Sequence, residues 1–391
     1  TYEVFVDRAD NAEVWDVQGQ RYIDFAGGIA VMNVGHGHPK VVAAIEAQLK
    51  RFTHTCYQVV PYESYIGLAE KLNALTPGSH AKKTALFSTG AEAVENAIKI
   101  ARSYTKRSGV IAFGGAFHGR SLFAVSLTGK VMPYKAGFGP FPPEIYHAPF
   151  PCHCASLAEV KKAVHGIFKA DIEPSRVAAI IFEPVQGEGG FNVIQAEAVQ
   201  WLRALCDEHG IVLIADEIQT GFGRTGKLFA YEHEAIRPDV VIVGKALSGG
   251  FYPVSGILAD DEVMGVFHPG EHGSTYGGNP MAAAVARAAL AVLVEEGMVG
   301  RSAELGPYFM DRLRAISSPH VKEVRGKGLW IGIELHREAG GARRFCEALQ
   351  KLGLLCKETH DHVIRIAPPL TITKGEIDWA VERLEQVLTG P

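Results

Sequence analysis

Two apolar runs end on residues that can do covalent and acid–base chemistry. The run Ile211 to Ala215 (IVLIA) delivers Asp216, within ADEIQTG. The run Val240 to Val243 (VVIV) delivers Gly244 and Lys245, within GKALSGG. Ligands bind at the carboxyl ends of strands in open α/β sheets, so both residues stand where a site is expected. A lysine leaving a buried strand among small residues is desolvated. Its pKa falls, and the neutral amine becomes available as nucleophile or base. An aspartate at a neighbouring strand end can keep a heterocyclic nitrogen protonated. Lysine plus aspartate is the pair that pyridoxal phosphate chemistry needs. Each residue alone reads better as a snorkelling lysine or a helix-capping aspartate; their coincidence reverses that balance.

A phosphate needs a cradle of its own. Ser88-Thr89-Gly90-Ala91-Glu92 opens a helical pattern with a T-x-x-E capping box, so Gly90 and Ala91 can offer backbone N–H groups at a helix start. Gly273 to Pro280 (GSTYGGNP), with hydroxyls among glycines, is a second candidate. Gly221 to Leu228 (GFGRTGKL) is a decoy. It satisfies G-x-G-x-x-G, but Leu228 stands where a P-loop needs Ser or Thr. As a dinucleotide fingerprint it starts several residues late, and Asp239 precedes the next strand instead of ending it. It is expected to be a tight glycine loop, and a dehydrogenase is disfavoured with it. A scaffold without catalysis leaves the coincidence of Lys245 and Asp216 unexplained.

These residues need a framework. Val110 to Phe113, Val177 to Phe182 (VAAIIF), the two runs above, and Ile257-Leu258 are continuously apolar. Strands of that kind are buried on both faces, which predicts a mostly parallel sheet covered by helices. Val94, Ala97, Ile98 and Ala101 recur at helical spacing between them. Val14 to Val17 and Arg21 to Phe25 flank a Gln18-Gly19-Gln20 turn as a hairpin. Leu329 to Ile333 predicts a strand in a second α/β unit. Thr373 and Glu376 predict a capped final helix with Ile377, Ala380, Val381, Leu384 and Leu388 on one core-packing stripe. The expected layout is a large domain over 40–285 and a small domain from 1–39 with 286–391.

The 391 residues are 47% hydrophobic and 21% charged, enough for a sizeable core without disulfides. The net charge of -4 leaves no basic field for nucleic acid. Six scattered cysteines suggest a reducing compartment, hence the cytoplasm. Cys152-His153-Cys154 lacks the usual C-x₂₋₄-C metal spacing, so no metal is expected there. His36 and His38 are expected to fix a turn. No basic start followed by an apolar stretch suggests a signal peptide, and Met281 to Val294 is too short to span a bilayer.

The segments STGAEAVENAIK, AFHGR, EPVQGEGG, LIADEIQTGFGRTG, GKALSGG and GSTYGGNP occur in this order. Together they resemble the class III (ω-amino acid) aminotransferases, pyridoxal phosphate enzymes of fold type I. The likeness covers nearly the whole chain. It implies that Lys245 carries the cofactor covalently and that Asp216 pairs with the ring nitrogen. It further implies Gln219 near the ring hydroxyl, Phe117 on the ring face and His118 beside it. Gly90 and Ala91 would hold the phosphate, joined by Thr275 of the partner subunit. That last role implies a homodimer or a dimer of dimers.

Up to about Leu213 the wording is similar to bacterial 4-aminobutyrate aminotransferases; beyond it, GKALSGGFYPVSGILADDEVM and GLLCKETHDHVIRIAPPL are similar to ornithine aminotransferases. Ile29 and Gln58 match the aminobutyrate side, whereas ornithine aminotransferases resemble one another in a tyrosine at the place of Ile29. Arg120 and Arg365 would each grip a carboxylate through a bidentate fork. Glu188 resembles the family's switch residue, neutralising Arg365 while an ω-amino substrate is bound. The resemblance thus implies transfer from 4-aminobutyrate or a similar ω-amino acid to 2-oxoglutarate, with Lys245 moving the proton and ping-pong kinetics; ornithine is the alternative donor.

Overall fold

The computed structural model describes residues 2–390. Its central sheet has seven strands, in the order Lys82–Phe87, Ser255–Asp260, Val240–Val243, Val212–Asp216, Val177–Phe182, Gly109–Phe113 and Ile145–Ala148. Ser255–Asp260 runs antiparallel to both of its neighbours, and the other pairings are parallel. Successive side chains on a strand point to opposite faces. Ile180, Leu213, Val241 and Val243 therefore enter one core. Ile181, Ile214, Val240 and Ile242 enter another, shared with Val94, Ala97, Ile98 and Ala101 of the helix Gly90–Thr105. Two covered faces are why these strands read as unbroken apolar runs. The fold is α/β, of fold type I.

The outermost strands, Lys82–Phe87 and Ile145–Ala148, carry only part of that signature, because several of their residues are half-exposed or exposed. At the amino end, Glu13–Asp16 and Arg21–Asp24 form the expected hairpin. Asp16 Oδ1 accepts from the amides of Gln18 and Gln20, both at 2.9 Å. The hairpin lies in a four-stranded sheet with Val6–Asp10 and Leu354–Leu355, so both ends of the chain meet there. A further antiparallel sheet holds Val321–Lys327, Trp330–Leu335, Val363–Ile366 and Lys357–Thr359. The last helix, Lys374–Thr389, is capped by Thr373 and Glu376 and buries the expected stripe.

The glycine loop is a strut. Gly223 N donates to Leu228 O at 3.2 Å and Gly226 N to Gly223 O at 3.0 Å. The loop sends the fully buried Arg224 to the carbonyls of Leu329 and Pro368 and to Asn33 Oδ1. His36 Nε2 lies 3.1 Å from Asp24 Oδ2, and His38 Nε2 lies 3.3 Å from Glu296. Two of the six cysteines depart from the expectation of a chain without disulfides. Cys152 and Cys154 are joined in a disulfide, while Cys56, Cys206, Cys346 and Cys356 are free. Among the described residues no helix is long and apolar enough to cross a membrane.

Candidate active site

The chain order places the carboxyl ends of Val177–Phe182, Val212–Asp216 and Val240–Val243 side by side, delivering Glu183, Asp216 and Lys245. Lys245 starts a single 3-10 turn with φ +42°. Its Nζ donates to the carbonyl of Ile29 at 3.2 Å. Burial, and then the positive charge of Arg365, pull its pKa down from 10.5 to about 8, against Glu188, Asp216 and Glu183. A neutral amine is therefore abundant at mildly alkaline pH. Uptake of pyridoxal 5'-phosphate by the stripped protein should rise with pH through a midpoint near 8. A stopped-flow absorbance series would read it; a midpoint near 10.5, the ordinary lysine value, contradicts the desolvated amine.

Ile29 belongs to a left-handed turn, Gly27 to Ala30, with φ of 52°, 56°, 60° and 59°. A β-branched residue there is a genuine outlier. The turn is closely packed at its first residue: a Cβ on Gly27 would lie 2.5 Å from the Ala367 carbonyl. Ala367 N in turn donates to Phe25 O at 2.9 Å, tying this turn to the segment that carries Arg365.

A cavity of about 200 Å³ brings together Gly90, Ala91, Phe117, His118, Asp216, Gln219 and Lys245, with Gly119, Glu183 and Ile218 completing the wall. Asp216 is buried, with Oδ2 2.7 Å from His118 Nδ1 and Oδ1 accepting from Ile218 N at 3.1 Å. Burial opposes a charge on His118, but Asp216 and Glu183 together raise its pKa. Glu183, which the sequence reading passed over, accepts from Phe117 N at 3.0 Å. Burial pushes its pKa up to about 8; His118 opposes the rise and Asp216 adds to it. The Thr89–Glu92 capping box forms as expected. It leaves the Gly90 and Ala91 amides without intrahelical acceptors, as at any helix start.

Arg365 leaves the strand Val363–Ile366 buried, paired with Glu188, and donates to Gln219 Oε1 at 3.1 Å. Burial works against the Glu188 carboxylate, but Arg365 outweighs it and holds the pKa below the usual range. Thr359 Oγ1 donates to the Glu188 carbonyl at 3.0 Å. Arg120 is exposed, lies over the rings of Phe117 and Tyr134, and has no carboxylate partner among the described residues.

Gln58 and Thr275 do not reach this cavity within one chain. Both are exposed, and the Gln58 amide end lies against Gly273. A larger cavity, about 420 Å³, opens behind the Glu188 loop and is lined by His153, Arg325, Glu334 and His362. His153, Glu323 and Glu334 hold their ligand atoms within 4.8 Å of one another, yet the Arg325 guanidinium already occupies both carboxylates.

The smaller cavity suits pyridoxal 5'-phosphate. It offers an amine, a carboxylate, an aromatic face and a helix start, and His118 Nε2 is a buried ring nitrogen with no partner. The sequence profile of the family "Aminotransferase class-III" matches residues 1–388. The chain belongs to the class III aminotransferases. Class III aminotransferases are pyridoxal phosphate enzymes, and this one is an ω-amino acid aminotransferase. It is 48% identical to the 4-aminobutyrate aminotransferase of Escherichia coli, covering 98% of this chain and 93% of that protein. It is 44% identical to an ornithine aminotransferase of Staphylococcus epidermidis, covering 98% and 94%. The solved ornithine aminotransferase of Toxoplasma gondii, described with partial occupancy of PLP at its active site, superposes with a TM-score of 0.91. Its identity is 34%, over 100% of this chain and 91% of that one.

Proposed function

We propose that this class III aminotransferase moves the ω-amino group of 4-aminobutyrate, or a closely similar ω-amino acid, to 2-oxoglutarate. The products are succinate semialdehyde and glutamate, in a ping-pong cycle. One observation carries the reading: Arg365 is neutralised by Glu188 while Arg120 has no carboxylate partner among the described residues. Such a site has one carboxylate grip open, which suits a donor with an amine at one end and a carboxylate at the other.

The cofactor, when bound, supplies the electron sink for the carbanion charge. Asp216, held by His118, keeps a proton on the ring nitrogen. Gly90 and Ala91 present their amides to the phosphate, with Phe117 and Gln219 along the ring. The neutral amine of Lys245 would serve as the base that takes the proton from the substrate carbon and as the acid that gives it back. Arg120 grips the donor's carboxylate. Glu188 leaves Arg365 when 2-oxoglutarate brings its α-carboxylate. Thr275 and Gln58, exposed and away from the cavity of their own chain, support a homodimer in which they complete the other copy's site. The division into 40–285 and 1–39 with 286–391 follows the same reading, supported by the sheet that joins the two chain ends.

Ornithine is the second reading, favoured by the 44% identity to an ornithine aminotransferase. Ile29, 44% exposed, has no side-chain donor or acceptor for ornithine's α-amino group. Steady-state kcat/KM for 4-aminobutyrate and ornithine with 2-oxoglutarate separates the two, and a preference for ornithine rejects our reading. Ile29→Tyr should move the ornithine to 4-aminobutyrate ratio of kcat/KM upward by about 10- to 100-fold, the worth of one hydrogen bond to a charged group. An unchanged ratio removes Ile29 from the specificity argument.

A further inference from the structure

Tyr134 touches Arg120 and the Glu188 carboxylate that pairs with Arg365. Its loop follows the helix Leu122–Leu127. The loop is pinned by Lys135, whose amide donates to Val131 O at 2.7 Å and whose Nζ donates to Ser126 O at 3.0 Å. The Tyr134 ring lies 5.1 Å from the Phe117 ring, and the Arg120 guanidinium lies 5.0 Å from its centroid. Its hydroxyl donates to Glu188 Oε2 at 3.4 Å, on the carboxylate whose other oxygen meets Arg365. The groups around that hydroxyl come from three elements: Glu188 from its loop, Arg365 from its strand, and Arg120 from the segment beside Phe117.

We infer that Tyr134 is a positioning residue that couples the two grips: its ring seats Arg120 for the donor's carboxylate, and its hydroxyl holds Glu188 over Arg365. The inference rests on the reading of Glu188 as the shield of Arg365. Burial, and next the charge of Glu188, push the Tyr134 pKa up to about 12, so the hydroxyl remains a donor across the working range. The ring is a cation–π platform for a guanidinium that has no ion-pair partner among the described residues. The hydroxyl adds one hydrogen bond to the shielded state alone, so it favours an ω-amino donor over the α-carboxylate of the acceptor.

The two contributions separate by substitution. Tyr134→Phe keeps the ring and removes one hydrogen bond from Glu188, which retains Arg365 and the Thr359 hydroxyl at 3.5 Å from Oε2. KM for 2-oxoglutarate should fall about three- to tenfold, the range of one hydrogen bond, while KM for 4-aminobutyrate stays within about twofold. Tyr134→Leu removes the seat as well, and KM for 4-aminobutyrate should rise about three- to tenfold. In a Glu188→Gln background the Tyr134→Phe effect on 2-oxoglutarate should vanish. Tyr134→Phe with wild-type KM values for both substrates overturns the coupling, as does an effect that persists undiminished in the Glu188→Gln background. If Glu188→Gln alone leaves KM for 2-oxoglutarate unchanged, the shield reading fails, and the hydroxyl's role with it. The donor KM of Tyr134→Leu then stands or falls for the Arg120 seat by itself. Cofactor absorbance of each variant verifies that the fold and the Lys245 cavity are intact.

Discussion

Lys245→Ala is expected to lower turnover by at least about 10⁴-fold, the upper end of what a positioned acid–base group contributes. The side chain has two duties in the proposed cycle, covalent attachment and proton transfer, and alanine performs neither. Both depend on the neutral amine, which the depressed pKa of about 8 supplies. Lys245→Arg should fail as badly, because guanidinium keeps its charge at every accessible pH. Neither loss is expected to come from unfolding. Lysine, alanine and arginine all carry a Cβ, so the φ of +42° costs each about the same and neither substitution adds backbone strain, in a domain of about 5–15 kcal/mol typical stability. Borohydride treatment of the loaded wild type should fix the cofactor to the peptide carrying residue 245, by mass spectrometry, and should fix nothing there in either variant. A variant that retains turnover and fixation assigns the chemistry to another amine.

The same residues show what a sequence discloses and what it withholds. Runs such as VAAIIF and VVIV are legible because alternate side chains feed two separate cores, so no polar residue is tolerated on either face. Lys245 and Asp216 stand out by following such runs. Glu183 follows one too, directly after Phe182, and was open to the same reasoning. Lys82–Phe87 and Ile145–Ala148 were harder, since strands at a sheet's edge keep exposed positions and blur the pattern. Tyr134 gives no local signal, because its meaning comes from Arg120 and Glu188, 14 and 54 residues away in the chain. The Gly27-Gly28 pair marks a turn, but the left-handed backbone continues through Ile29 and Ala30, residue types that give no local sign of it. The Cys152–Cys154 bond escaped for another reason: a single intervening residue matches no familiar spacing, and a long chain with a large core needs no staple.

Asp216→Asn is expected to slow the donor half-reaction by about 10²- to 10⁴-fold. Asparagine keeps the shape and can still accept from His118 Nδ1, so the 2.7 Å contact and the local packing survive. The negative charge does not. In the wild type that charge lies buried against His118, whose pKa rises through Asp216 despite full burial, and the reading places the ring nitrogen on the same carboxylate. Removing one member of a buried charge pair costs about 3–5 kcal/mol, which corresponds to about 10²–10⁴ in rate when the cost falls on the transition state. His118 should respond as well. With the Asp216 charge gone, burial is left as the larger influence against Glu183 and the imidazole pKa falls, so the nitrogen NMR titration of His118 should shift to lower pH than in the wild type. The loaded variant should still bind its cofactor through Lys245, which separates this loss from that of Lys245→Ala. A half-reaction within tenfold of wild type would show that the ring proton is held elsewhere, and Glu183, the other buried carboxyl on that wall, becomes the group to replace next.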